Sequence, residues 1–415
     1  MHDEGGDKNR GIPAPLESEP RVHKARRAAP ADAVRPTRAE VNLEALRKNF
    51  RVVKKHADGS KVWAVLKADG YGHGAPAVAR TLERAGADGF CVALFEEGVE
   101  LREAGIVAPI LVMGGYYGGA YAEVLARGMT PVVYDQSHLH GFSAAARALK
   151  LDKPVDVHIK LDTGMARLGL RADGVDAFAD KLADHPELRP SGLMTHLASA
   201  DALSQEHTRE QMIRFDEMTA MLARKGVRPE VRHAANSAAL LRAEARLSAV
   251  RPGIALFGVS PRAVGTDGDV GAPFDSELLP VMRVRTEVVD VRTVPSGQTV
   301  GYGGLFRATR DTRVATVPMG YADGLSRQLS NRGHLLVRGK RAPIVGAVSM
   351  DMSMIDVTDI PNVGISDEVM VLGSQEGTEG RDSISADEVA SRIGTIAWEV
   401  LTSISRRVPR FYREQ

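Results

Sequence analysis

The sequence predicts a (β/α)8 barrel followed by a C-terminal, mainly β domain. Three observations carry that expectation. Eight short apolar runs alternate with amphipathic helical patterns over about 200 residues, the rhythm of a parallel barrel. Around residues 275–285 the texture changes to the polar–apolar alternation of half-buried strands. The chain has 415 residues, too many for one ordinary domain and enough for two. The barrel is therefore assigned to 35–277 and the β domain to 278–415, after an N-terminal extension of residues 1–34.

The extension is rich in Arg, Pro, Ala, Gly and Glu and has no apolar periodicity. It lacks the apolar core of a secretory signal, and Asp7, Glu17 and Glu19 do not suit an organelle transit peptide. Its basic stretch His23–Arg27 reads as a solvated tail. The extension is expected to be disordered and dispensable. Arg38 to Phe50 carries apolar residues at helical spacing and is read as a helix. The strand-like runs are Val62–Leu66, Phe90–Leu94, Ile110–Met113, Pro131–Tyr134, Val155–Leu161, Leu193–His196, Val231–Ala234 and Ile254–Phe257. Helical patterns at Pro76–Ala85, Ala120–Ala126, Val175–Ala183 and Gln211–Arg224 lie between them. In the second domain, strands are expected at Val281–Val291, Arg313–Val317, His334–Val337, Ile344–Val348, Met354–Val357 and Glu368–Leu372. A helix is expected at Ala386–Ile393, capped by Ser385.

Composition narrows the function classes. Hydrophobic residues make up 43% and charged residues 26%, as in a soluble globular protein. The formal charge of +1 recommends neither nucleic acid nor an acidic membrane as partner. No apolar run is long enough to span a bilayer. Cys91 is the one cysteine and sits in an apolar run, which excludes an intrachain disulfide and a cysteine-only metal site. A cytoplasmic protein without a bound metal is expected.

Barrel active sites lie at the C-terminal ends of the strands, and that rule sorts the polar residues. Lys67 ends the first run and is followed by a glycine-rich turn, Ala68–Gly74. Such a lysine either snorkels to solvent or is buried, and burial lowers its pKa enough to form a Schiff base with a carbonyl. Lys160, Asp162 and Arg167 fall at or after the fifth run, and His196 ends the sixth. His233, Asn236 and Ser237 end or follow the seventh, and Arg251 and Gly253 frame the start of the eighth. Small residues, a hydroxyl and free backbone N–H groups after strands seven and eight suit a phosphate. Each alone reads first as an ordinary cap or turn. Together with the lysine they describe a site for a phosphorylated carbonyl cofactor, for which pyridoxal 5'-phosphate is the natural candidate.

These residues resemble the alanine racemase family. Lys67-Ala68-Asp69-Gly70-Tyr71-Gly72-His73-Gly74 is similar to its cofactor-lysine motif, and Lys160 to Gly169 to its second motif. Thr195–Asp201, His233–Ala238, Val250–Ile254, Gly301-Tyr302-Gly303, Gly320–Gly324 and Ser349–Met352 match in order. The resemblance covers about residues 36–413, and eight ordered motifs make it specific. It implies a pyridoxal phosphate barrel with a β domain, and racemisation of L- and D-alanine that supplies D-alanine for peptidoglycan. Lys67 would hold the cofactor and act as base on one face of the substrate Cα. Tyr302, contributed by the other subunit of a homodimer, would act on the opposite face.

The resemblance implies further roles. Tyr71, Ser237, Gly253 and Ile254 would bind the phosphate. Arg251 would face the pyridine nitrogen, with His233 supporting it and His196 beside Tyr302. Arg167 and the backbone N–H of Met350 would hold the substrate carboxylate. Lys160 falls where some members carry a carbamylated lysine that orients the arginine. Asn236, Tyr321 and Asp351 are supporting positions, the last two either touching substrate or serving as turn residues. His73 is read as structural. One position departs from the family: Trp398 stands where a tyrosine commonly reaches the phosphate and walls the substrate pocket. Indole offers one donor and no acceptor, so the phosphate contact and the preference for alanine are expected to differ there. Alternatives are a basic amino-acid decarboxylase, which would carry a cysteine in its second domain, a racemase of broader specificity, and a non-catalytic cofactor carrier built from the barrel alone.

Overall fold

The computed structural model describes residues 33–114, 116–261, 274 and 276–414. The disorder expected of the extension falls on residues 1–32, outside the described residues. The first element corrects the sequence reading. Arg38–Asn42 is a strand, β1, and the helix begins only at Leu43, running to Ala57. The Asn42 side chain accepts from the Ala45 N–H at 2.9 Å, which caps the helix and stops it extending backward. Apolar residues at 39, 41, 43 and 46 satisfy both a strand and a helix period, so spacing alone could not separate the two.

The barrel strands are β2 (Lys61–Val65), β3 (Gly89–Val92), β4 (Ile110–Val112), β5 (Thr130–Val133), β6 (Val155–Lys160), β7 (Leu188–Met194), β8 (Val231–His233) and β9 (Ala249–Val250). Each pairs in parallel with the next, and β2 pairs with β9 to close the ring. The fold class is therefore the (β/α)8 barrel with a β domain after it. Seven of the eight strands fall on the expected runs. The eighth does not. β9 is the short pair Ala249–Val250, and Ile254–Phe257 is a buried 3-10 turn. A short, fully apolar run has no periodicity to separate a strand from a buried helical turn. The correction moves Arg251 and Gly253 from before the last strand to just after it, the end of the barrel where sites are built.

The second domain contains β10 (Met282–Glu287), β11 (Asp290–Val294), β12 (Thr299–Val300), β13 (Phe306–Arg307), β14 (Thr312–Val317), β15 (His334–Val337), β16 (Lys340–Pro343), β17 (Ser353–Asp356), β18 (Glu368–Gly377), β19 (Gly380–Ile384) and β20 (Arg410–Arg413). The main sheet runs β16-β15-β18-β10-β1-β20, with β19 paired to β18. The strand expected over Val281–Val291 is two strands in two sheets, since β11 joins β14 and β17. Ile344–Val348 is not a strand; β15 instead turns back through β16, and Ile344 keeps a single bridge to Ile355. The helix Ala386–Ile393 forms as expected, with the Ser385 hydroxyl accepting from the Glu388 N–H at 3.0 Å. A further helix, Ala397–Ser403, has no counterpart in the sequence expectations; its first turn carries Trp398.

β1 sits between β10 and β20 in this sheet, antiparallel to one and parallel to the other. Its Glu40 is buried, and its carboxylate is held by Arg38, Arg283, Arg285 and Arg413. A buried carboxylate requires this kind of compensation, because an unpaired one costs several kcal/mol.

Candidate active site

Lys67 follows β2 after a single residue, Leu66, and is half-buried. The four residues after it, Ala68, Asp69, Gly70 and Tyr71, all take left-handed backbone, with φ of 51°, 57°, 61° and 53°. For a non-glycine residue that conformation costs about 1–2 kcal/mol, so the surroundings must hold it in place. Glu97 accepts from the Ala68 N–H at 2.6 Å, and Asp69 accepts from the Ala75 N–H at 2.9 Å. His73 is wholly buried, with Nδ1 at 3.0 Å from the Gly70 carbonyl and 2.9 Å from that of Tyr71, and its ring stacks on Phe257. Burial pulls its pKa down to about 3, so the ring is neutral and donates from Nδ1. His73 pegs the turn that aims Lys67 and Tyr71.

Tyr71 is buried, and its hydroxyl lies against Gly253: a Cβ built there would stand 2.3 Å from it. Ser237 Oγ accepts from the N–H groups of Gly253 at 2.9 Å and Ala255 at 3.3 Å, which leaves its own proton to donate. Asn236 Oδ1 accepts from the N–H groups of Ala238 and Ala239, the bond of an ordinary cap. Lys67, Tyr71, His196, Asn236, Ser237, Arg251, Gly253, Ile254 and Trp398 line one cavity of about 230 Å3, with Val65, Met113 and Leu197 as apolar walls. Nine residues chosen from sequence thus meet in one place.

The mouth is strongly cationic. Burial lowers the Lys67 pKa, the Arg167 charge lowers it further, and Glu97 opposes both. Lys160 is buried and falls to about 8, through burial and then the charges of Arg167 and Arg251. Burial, then Arg251, Arg167, Lys160 and Lys67, take His196 to about 3, so its ring is neutral. Arg251 is buried, and burial lowers it only to about 10, so it keeps its charge at neutral pH. Its guanidinium donates to the carbonyls of His233, Ala234 and Thr195 at 2.9, 3.1 and 2.7 Å, and to His233 Nδ1 at 2.7 Å. Arg167 projects from the loop after β6. Asp162 Oδ1 organises that loop by accepting from the N–H groups of Gly164, Met165 and Ala166 at 3.0–3.1 Å.

Sequence reasoning missed His158. It lies two residues before Lys160 on β6, on the same face, and its Nδ1 is 2.8 Å from His233 Nε2. The period of two linking it to Lys160 was the available signal. Cys91, on β3, is buried, and burial pushes its thiol up to about 12. It is not a catalytic thiol of a second domain.

The structure does not bring Tyr302, Tyr321, Met350 or Asp351 into this cavity. Tyr302 lies in the turn between β12 and β13 and is 75% exposed. Met350 and Tyr321 are 52% and 43% exposed. Their loops are knit together by bonds from the Tyr321 N–H to the Ser349 carbonyl at 2.9 Å and from the Ala322 N–H to the Met350 carbonyl at 3.0 Å. Asp351 is paired with Arg407 at 2.7 Å. Beneath them Asp323 is buried, gripped by Arg35 through both oxygens and by Arg407. Among the described residues, no group of three or more His, Cys, Asp or Glu is placed to hold a metal ion. No helix among them is long and apolar enough to cross a membrane.

Residues 41–261 match the profile of the alanine racemase N-terminal domain, and 281–412 that of the alanine racemase C-terminal domain. This chain belongs to the alanine racemase family. An alanine racemase of Sorangium cellulosum is 56% identical over 388 residues, covering 92% of this chain and all of that protein. That of Symbiobacterium thermophilum is 42% identical, covering 92% of this chain and 98% of its own. Among solved structures, alanine racemase from the D-cycloserine producer Streptomyces lavendulae aligns with a TM-score of 0.84 at 35% identity, covering 92% of this chain and 98% of that one. Membership makes the chain an amino-acid racemase by kinship.

Proposed function

We propose that the protein interconverts L- and D-alanine with pyridoxal 5'-phosphate, using Lys67 and Tyr302 as bases on opposite faces of the substrate. One observation carries the reading. A lysine whose pKa is lowered by burial shares a cavity with the Tyr71 hydroxyl, the Ser237 hydroxyl and the close backbone of Gly253. That donor set fits a phosphate, and the lysine fits its carbonyl. Tyr71, Ser237, Gly253 and Ile254 would hold the phosphate, with Trp398 across the cavity. When bound, pyridoxal phosphate offers a carbonyl for an amine and a ring that withdraws electrons from the substrate Cα.

The remaining work falls to the chain. Lys67, with its pKa lowered by burial, would take the proton from one face of Cα. Tyr302 of the partner subunit delivers a proton to the other face, with the neutral His196 beside it. Arg251 can only donate, so a ring nitrogen held against it would gain no proton from it. Such a contact would temper the withdrawal of electrons and limit side reactions. Arg167 and the backbone N–H of Met350 of the partner subunit would hold the carboxylate, and Lys160 would orient Arg167 only if carbamylated, since an ammonium offers a guanidinium no acceptor. Tyr321 and Asp351 shape the rim. The exposure of Tyr302, Tyr321 and Met350 on one chain supports a homodimer in which each β domain completes the other subunit's barrel. The product suits a cytoplasmic supply of D-alanine to peptidoglycan.

Exchange in deuterium oxide tests the reading. Purified protein loaded with pyridoxal phosphate should place deuterium at Cα of either alanine enantiomer. A protein that binds the cofactor yet exchanges no α-proton would falsify it.

A further inference from the structure

Arg251 is the deepest of the cationic groups at the mouth, and its orientation depends on what lies behind it. Its guanidinium stands 2.7 Å from His233 Nδ1. On the far side of that ring, His233 Nε2 stands 2.8 Å from His158 Nδ1. All three side chains are buried. We propose that His158 is a positioning residue for Arg251, acting through His233, in a hydrogen-bond chain whose direction the guanidinium sets.

The direction follows from donor and acceptor inventory. A guanidinium has donors only, so His233 Nδ1 must accept. A neutral imidazole then carries its proton on Nε2, and that N–H needs an acceptor. His158 Nδ1 is the acceptor within reach, so the His158 proton also sits on Nε2. Protonating either ring would set two donors face to face beside a buried positive charge. Both imidazoles are therefore neutral and in the same tautomer. Without an acceptor at His158, the buried His233 Nε2–H loses its partner. His233 can then move its proton to Nδ1, which turns a donor toward Arg251 and displaces the guanidinium.

The packing around His158 is built for a ring at that place. The Trp63 ring lies against both imidazoles, with centroids 5.2 Å from His158 and 6.0 Å from His233. On β7, Gly192 lies flat against the His158 ring: a Cβ there would stand 2.6 Å from three of its atoms. The inference rests on the reading that Arg251 faces the cofactor ring, but its first test does not.

That test is nuclear magnetic resonance of protein loaded with pyridoxal phosphate and labelled with 15N-histidine, the two rings being assigned by their loss in variants. Both should appear as neutral Nε2–H tautomers that do not titrate across the neutral range. A cationic ring or an Nδ1–H tautomer at either position overturns the proposal. The second arm uses His158→Asn, whose amide oxygen replaces the accepting nitrogen, and His158→Leu, which fills space without accepting. Removing an orienting partner of this kind costs on the order of 10- to 100-fold. His158→Leu should lose about that much in kcat, with KM for alanine little changed. His158→Asn should recover most of it. Equal impairment in both variants, or full activity in His158→Leu, overturns the proposal. Where His158→Leu does not fold, the tautomers of the wild type and the rate of His158→Asn still decide. Absence of racemisation by wild-type protein would instead sink the functional reading and leave the tautomer result standing.

Discussion

The barrel mouth and the exposed face of the β domain differ in how far one chain completes them. At the mouth, Lys67, Tyr71, His196, Ser237, Arg251 and Gly253 already meet in one cavity, buried or half-buried, with hydrogen bonds in place. On the β domain, Tyr302, Tyr321 and Met350 are exposed, although the loops beneath them are tightly braced. The Asp323–Arg35–Arg407 cluster and the Tyr321–Ser349 bond hold a surface that touches nothing in its own cavity. Rigid support under an exposed tyrosine is what a surface shaped for another molecule needs. The difference teaches that one half of the proposed site is a pocket formed by a single chain, while the other half is an exposed, braced surface that the proposed dimer would bring to a neighbour's pocket.

The strongest way to break this comparison is to disable each half separately. Lys67→Ala and Tyr302→Phe should each lower racemisation by about 10³-fold or more, since each removes a base. Lys67→Ala should also change the visible absorbance of bound pyridoxal, whereas Tyr302→Phe should leave it intact. Refolding the two inactive proteins together should restore activity, because mixed dimers contain one site with both residues. If mixing restores nothing, Tyr302 does not serve a neighbour. Next in size, Gly253→Ala should weaken cofactor binding, as the new methyl would press on the Tyr71 hydroxyl and overpacking costs about 1–3 kcal/mol. Equilibrium dialysis of pyridoxal phosphate measures it, and unchanged affinity would move the phosphate elsewhere.

A third test probes the charge crowding of the mouth. The Lys160 amine titrates at about 8 in the fold, against an ordinary lysine value of 10.5. Between those values the unfolded chain binds a proton that the folded chain has lost, so folding strengthens as pH rises through that window. Thermal melts of wild type and Lys160→Met should therefore separate progressively in favour of the wild type from pH 8 to 10.5. A flat difference, with added mass on Lys160, would report a carbamylated side chain. The smallest effect is expected from Trp398→Tyr. Pockets separate small side chains by about 10- to 200-fold at most, so the rates for L-alanine, L-serine and L-lysine should shift against one another within that range. Identical ratios would mean that Trp398 does not wall the substrate.

Much of this was legible in the sequence, and the failures have physical causes. Barrel strands announced themselves because a buried parallel strand is a short continuous apolar run between helices. The same property misplaced the eighth strand, since Ile254–Phe257 is more apolar than the two-residue β9 it follows. The residues at strand ends were found because the barrel rule makes polarity there informative. His158 was hidden because it lies inside a strand, where a lone histidine reads as filling. The Ser237–Gly253 bond and the Tyr71–Gly253 approach join residues distant in sequence, and no local pattern encodes them. Trp398 was noticed through its departure from a family pattern, but its helix was not, being seven residues long.

β1 bears on the order in which the protein is made. Its antiparallel partner begins at Met282 and its parallel partner at Arg410, while Glu40 waits for Arg283, Arg285 and Arg413. Glu40 and Arg285 are 245 positions apart. At about 5–20 residues per second of synthesis, that gap is roughly 12 to 50 s. During that time the barrel can emerge and close, yet β1 ahead of it has no strand to pair with. β20 completes the pairing of β1, so a ribosome that stops before Arg410 leaves a closed barrel beside a β1 with one edge open.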